Sequence, residues 1–108
     1  MGVTQAEFRR MALNHPDAAE SSHMDHPDFR VRGRVFATLG YPDKEHGMVK
    51  LPPGKQAEFV RNSPNAFSPA KGAWGKRGST TVLLRAVKKA ELREALLAAW
   101  ASTARKKR

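Results

Sequence analysis

From Phe29 to Leu39 two strand-like runs meet at a single glycine, the first of them strictly alternating, and this pattern commits the chain to an antiparallel hairpin. In Phe29-Arg30-Val31-Arg32 the two apolar residues fall on one face and the two arginines on the other, because successive strand side chains point to opposite sides. Gly33 marks a tight turn. Arg34 to Leu39 then resumes as a strand with Val35, Ala37 and Leu39 on one face. A sheet apolar on one face needs a cover. The end of the chain supplies one: Leu92, Ala95, Leu96, Ala99 and Trp100 recur at i, i+3, i+4, i+7 and i+8, which predicts an amphipathic helix from about Lys89 to Thr103.

The remaining elements follow from local signals. Thr4-Gln5-Ala6-Glu7 matches a capping box, and Phe8, Met11 and Ala12 share one helical face, so a first helix is predicted from about Thr4 to Asn14. His15-Pro16 ends it, since the residue before proline avoids the α region. Ala18 to Met24 reads as a short polar edge strand, and His26-Pro27-Asp28 as a turn. Gly40 to Asp43 is a loop, and Met48 to Leu51 a short strand with Val49 and Leu51 inward. Pro52-Pro53 opens a second helix, whose narrow face is Gln56, Phe59 and Val60, and Asn62-Ser63-Pro64 stops it.

The stretch from Gly72 to Leu84 reads as a second hairpin. Trp74, Thr80, Val82 and Leu84 are expected on one face, with Trp74 anchored in the core. Gly75 and Gly78 flank Lys76 and Arg77, so two cations are expected at a hairpin tip. The predicted order is α-β-β-β-β-α-β-β-α. That is an α+β fold, an antiparallel sheet with helices packed on one face. Residues 1–104 are expected to form one domain, followed by a basic tail over 105–108.

Charge narrows the possible partners. The net charge is +10, and it is unevenly spread: residues 1–28 carry two arginines and five acids, whereas residues 29–108 carry 18 lysines and arginines and five acids. A surface this basic attracts polyanions, of which nucleic acid is the one a small basic domain most often meets. The candidate phosphate-binding residues are Arg30, Arg32 and Arg34 around the first turn, Lys76 and Arg77 at the second, and Lys50 and Lys71 nearby. There is no cysteine, which excludes disulfides, thiolate metal sites and cysteine nucleophiles. With no apolar run long enough for a membrane span and no signal-peptide pattern at the start, a cytoplasmic protein is expected, monomeric by default.

Several motifs occur together and in order: His26-Pro27-Asp28-Phe29-Arg30-Val31, Phe36-Ala37-Thr38-Leu39, Val49-Lys50-Leu51 followed by Gln56, Gly72-Ala73-Trp74-Gly75, and Ala98-Ala99-Trp100 near the end. In these the chain resembles the MmcQ/YjbR family of small bacterial proteins over nearly its whole length. The resemblance implies a compact α+β fold whose two hairpins have been likened to a double-wing DNA-binding arrangement. Double-stranded DNA is therefore the expected partner, with no cofactor. Many members carry an aromatic where this chain has Ser79, so a stacking role for that aromatic does not carry over.

Other chemistries have less support. Ser21, Ser22, His23 and Asp25 include residue types used in catalysis, but catalytic groups are recognised by geometry rather than by local order. His23 and His26, with Glu20 and Asp25 near, have a spacing a metal site can use, yet a solvated polar strand explains them as well. The expectation is therefore no enzyme and no metal. The alternative to DNA binding is a non-catalytic interaction or small-ligand module, with Trp74, Phe67 and Tyr41 lining a groove.

Overall fold

The computed structural model describes residues 2–105. The tail expected over 105–108 therefore lies outside the described residues, except for Arg105, which ends the last helix. The elements run α1 (Gln5–Leu13), β1 (Ala18–His23), β2 (His26–Val31), β3 (Arg34–Leu39), β4 (His46–Lys50), α2 (Pro53–Asn62), β5 (Phe67–Pro69), α3 (Gly72–Lys76), β6 (Ser79–Leu83) and α4 (Lys89–Arg105). All six strands form one antiparallel sheet in the order β1-β2-β3-β4-β6-β5.

The inner face of the sheet follows from its register. Ala37 stands opposite Val49, and Val49 opposite Thr80; Leu39 stands opposite Gly47, and Gly47 opposite Val82. These residues, with Phe29 and Val31, are buried. Helix α4 lies across β2, β3 and β4, and α1 packs beside it. Leu92, Ala95, Leu96 and Ala99 of the predicted stripe are all fully buried. Each leucine contributes on the order of 1.5–3 kcal/mol of transfer free energy and each alanine methyl about 0.8, so the stripe is what holds helix to sheet. The opposite face carries the row Asp28, Thr38, Met48, Thr81 and Ser68, polar but for Met48 and matched across five strands.

Local chemistry sets the ends. Thr4 and Glu7 form the full capping box, and the Thr4 amide and Lys89 pull the Glu7 carboxyl down to about 2. The first turn lies at Met24-Asp25, both with positive φ (52° and 66°), rather than at His26-Pro27-Asp28. Asp tolerates the left-handed region, and His26 is thereby freed to begin β2. The face expected on β3, Val35 with Ala37 and Leu39, is broken by a bulge: Phe29 faces Ala37 but Arg30 faces Val35. Phe36 is the inserted residue and is fully buried, while Val35 is only half-buried. A bulge sends two neighbours to the same side, so the larger ring enters the core.

The second hairpin differs most from expectation. Residues Gly72–Lys76 coil into a short helix instead of a strand. The pairing positions on β6 are already taken by Phe67, Ser68 and Pro69. Pro69 has no N–H, but it sits opposite Thr80 at a non-hydrogen-bonded position; the Ala70 amide makes the last bond to β6, to the Ser79 carbonyl at 2.9 Å, and the chain then leaves the sheet. Trp74 consequently misses the core and is 62% exposed.

Candidate nucleic-acid interface

Antiparallel pairing decides which loops share an end of the sheet. Strands β2 and β3 join through Arg32-Gly33, where β3 begins; β4 ends beside that start; β6 begins at Ser79, opposite Lys50; and β5 ends at Pro69, opposite Thr80. One end therefore gathers Arg32 and Arg34, Lys50 at the close of β4, Lys71 before α3, Lys76 at the end of α3, and Arg77 between α3 and β6. Asp17, just before β1, lies on that end too. The opposite end holds Asp25, Asp43 and Glu45 with Lys44 and Arg85, and Arg85 is paired there with Glu45. At about 4.8 Å between neighbouring strands, the β2–β3 turn lies roughly 12 Å from the start of β6 and roughly 17 Å from the β5 edge.

Two devices present these cations. The first is the turn at Arg32 and Gly33, both with positive φ (55° and 80°), the signature of a two-residue hairpin turn. A non-glycine residue pays roughly 1–2 kcal/mol to sit there, yet the position is occupied by an exposed arginine. The second is the clamp that holds the α3–β6 connection against the sheet. The Leu51 amide donates to the Gly78 carbonyl at 2.9 Å. The Gln56 side-chain amide donates to the carbonyls of Gly75 (3.0 Å) and Ser79 (3.1 Å) and to Thr80 Oγ1 (3.1 Å). The Thr80 hydroxyl donates to the Gly78 carbonyl at 2.9 Å. Gly75 and Gly78 are buried while Lys76 and Arg77 between them are exposed. The glycines are the anchors and the cations are the presented groups.

Arg30 is held differently. Its Nε donates to Asp28 Oδ1 at 2.8 Å and its Nη2 to Oδ2 at 3.1 Å. His23 Nδ1 lies 2.6 Å from the same carboxylate, and Asp28 is fully buried. The Arg30 guanidinium holds the Asp28 carboxyl below the usual carboxylate range, with His23 adding to the effect against the opposing pull of burial. Arg30 thus neutralises a buried charge and is not among the exposed cations. Sequence reasoning missed this because Asp28 was read as part of a turn. Its signal was the i, i+2 spacing of Asp28 and Arg30, which puts them on one face of a strand.

Gln56 was also missed as a positioning residue, having been placed on the apolar face of α2. The groove expected from Trp74, Phe67 and Tyr41 does not form. Phe67 is 1% exposed and packs against Phe59, with ring centroids 5.1 Å apart. Tyr41 meets His26 edge-on at the end of the sheet away from α3. A shallow groove does run between α2 and α4, lined by Lys55, Glu58, Phe59, Glu94 and Leu97, and it is of mixed charge. Among the described residues no three metal-ligating side chains come together, and no helix is long and apolar enough to cross a membrane.

Comparison with known proteins gives the following. The family model described as YjbR matches residues 13–102. A crystal structure of the Deinococcus radiodurans protein DR2400, which carries a DUF419 domain, superposes with a TM-score of 0.81 at 20% sequence identity, covering 96% of this chain and 80% of that one. At that identity the likeness is one of fold. No curated protein matches.

Proposed function

This chain belongs to the YjbR family, and we propose that it uses that fold as a non-catalytic nucleic-acid-binding protein, gripping the phosphates of double-stranded DNA with the basic end of its sheet. The observation that carries this reading is the convergence of Arg32, in the β2–β3 turn, with Lys71, Lys76 and Arg77, in the β5–β6 connection, on one end of the sheet, with Arg34 and Lys50 at the same end. Duplex DNA carries about one charge per 1.7 Å of axis, so a row roughly 17 Å long faces on the order of ten phosphates. Contacts of this kind fix position on the duplex without reading bases.

Fluorescence anisotropy with a labelled duplex across a salt series tests the proposal. Four phosphate contacts imply a loss of affinity of about 10² between 50 and 200 mM salt, and six imply about 10³. Lys76→Glu with Arg77→Glu should weaken binding and lower the salt slope by about 2. Arg10→Glu with Arg93→Glu makes the same change in net charge on the exposed faces of α1 and α4. Equal losses from both pairs would mean that net charge alone matters, and the proposal fails. So does an absence of binding at 50 mM salt.

A further inference from the structure

Among the described residues, five large apolar side chains stay exposed: Leu13, Met24, Tyr41, Trp74 and Leu97. Trp74 is the one on a segment bracketed by cations, with Lys71 before it and Lys76 and Arg77 after it. Nothing about α3 is loose enough to explain the exposure as fraying. Gly75, the next residue, is buried so closely that a Cβ there would lie 1.9 Å from the Ala70 carbonyl oxygen. Arg77 donates its amide back to the carbonyls of Ala73 and Trp74 at 3.1 and 3.2 Å. The helix is seated on its glycine, and the indole is left outside on a firm base.

We infer that Trp74 is a stacking platform for a nucleobase, so the preferred nucleic acid carries unpaired bases, as in a single strand or a single-strand–duplex junction. The inference rests on the reading of the basic end as a phosphate-binding surface and specifies its substrate class. An aromatic face beside cations that track the backbone is the pairing that single-stranded nucleic acid needs, because every base has a π-face and every nucleotide a phosphate. An intact duplex offers no free face unless a step is unstacked, which costs a few kcal/mol. A protein partner that buried the indole would have to desolvate the cations around it, which favours a polyanion as the occupant.

The test measures tryptophan emission and affinity for three probes at one low salt concentration: a mixed-sequence single-stranded 12-mer, the matching 12-base-pair duplex, and heparin, which has charge but no bases. The native chain should bind all three. Only the oligonucleotides should quench emission, the single strand most. Trp74→Ala should lose roughly 5- to 150-fold in affinity for the single strand, leave heparin affinity unchanged, and abolish the quenching. Trp74→Phe should recover part of the loss. If the native chain binds heparin and both oligonucleotides but Trp74→Ala changes neither affinity nor quenching, the stacking role is overturned and the phosphate-binding surface stands. If it binds none of the probes, both are overturned.

Discussion

The amide of Leu51 donates to the carbonyl of Gly78 at 2.9 Å, and a Cβ on Gly78 would lie 1.8 Å from the Leu51 carbonyl oxygen. These two backbones touch, and their contact sets Arg77 beside the end of β4. Gly78 also has φ of +109°, which side-chain-bearing residues rarely adopt. Gly78→Ala combines that strain with a backbone clash and should destabilise the fold by about 2–4 kcal/mol. Urea denaturation measures this directly. A loss below about 0.5 kcal/mol would show that the contact is not tight.

Gln56 tests positioning separately from charge. Gln56→Leu keeps every cation but removes the side-chain donor from the Gly75 and Ser79 carbonyls, which retain only their backbone donors, the amides of Gly78 and Ala70. The expected cost is about 1–2 kcal/mol in unfolding free energy. At a temperature where the variant remains folded, its DNA affinity should fall while its salt slope stays unchanged. An affinity equal to that of the native chain would show that the clamp plays no part in binding.

Arg32 places stability and binding in opposition. Asn is favoured where a hairpin turn needs positive φ, so Arg32→Asn should stabilise the fold by about 0.5–1 kcal/mol. The same change removes a cation from the β2–β3 turn and should lower the salt slope by about 1. Thermal melts and binding isotherms on one preparation read both effects. A variant that loses stability would contradict the description of the turn.

Two titrating groups predict the acid side of the stability curve. His15 stacks on Trp100 (5.5 Å) and meets Phe36 edge-on (6.4 Å), and burial lowers its pKa. Its folded pKa lies below the ordinary histidine value of 6.5. Above 6.5 neither state is protonated, and this contribution to stability is fully present. As pH falls from 6.5 toward the folded value, only the unfolded chain takes up the proton, so stability is lost across that window. His15→Phe keeps a ring in the stack and should abolish the loss. Asp28 acts lower: its folded pKa is below 3.8, so its contribution holds above 3.8 and is lost as pH falls through the folded value. Asp28→Asn should cost about 2 kcal/mol at neutral pH and flatten that limb. Urea midpoints at pH 3, 5.5 and 7.5 for the three proteins test both assignments.

How much of this was legible in the sequence depended on the range of each signal. The α4 stripe, the Thr4–Glu7 capping box and the turn at Gly33 are written within a few residues, and the fold follows them. The YjbR resemblance, carried by short motifs, also holds. The bulge at Phe36 was not legible, because it is decided by which ring the core can take. The second hairpin departs from expectation because the strand that does pair with β6, Phe67–Pro69, is only three residues long and too short to show an alternation of its own. With β6 already paired, Trp74 had nowhere to go but outward. The convergence of the cations was legible only as two basic turns; that they share one end required the strand order. The Asp28–Arg30 pair was hidden by reading Asp28 as a turn residue, although its spacing from Arg30 was in plain view.

The most direct test of the central claim is amide chemical-shift mapping of the isotopically labelled chain titrated with a short DNA oligonucleotide. The shifts should concentrate at Arg32, Gly33 and Arg34, at Leu51, and from Ala73 to Gly78, fading toward the loop over 40–45. Shifts concentrated on that loop, or along the groove between α2 and α4, with the basic end unmoved, would contradict it.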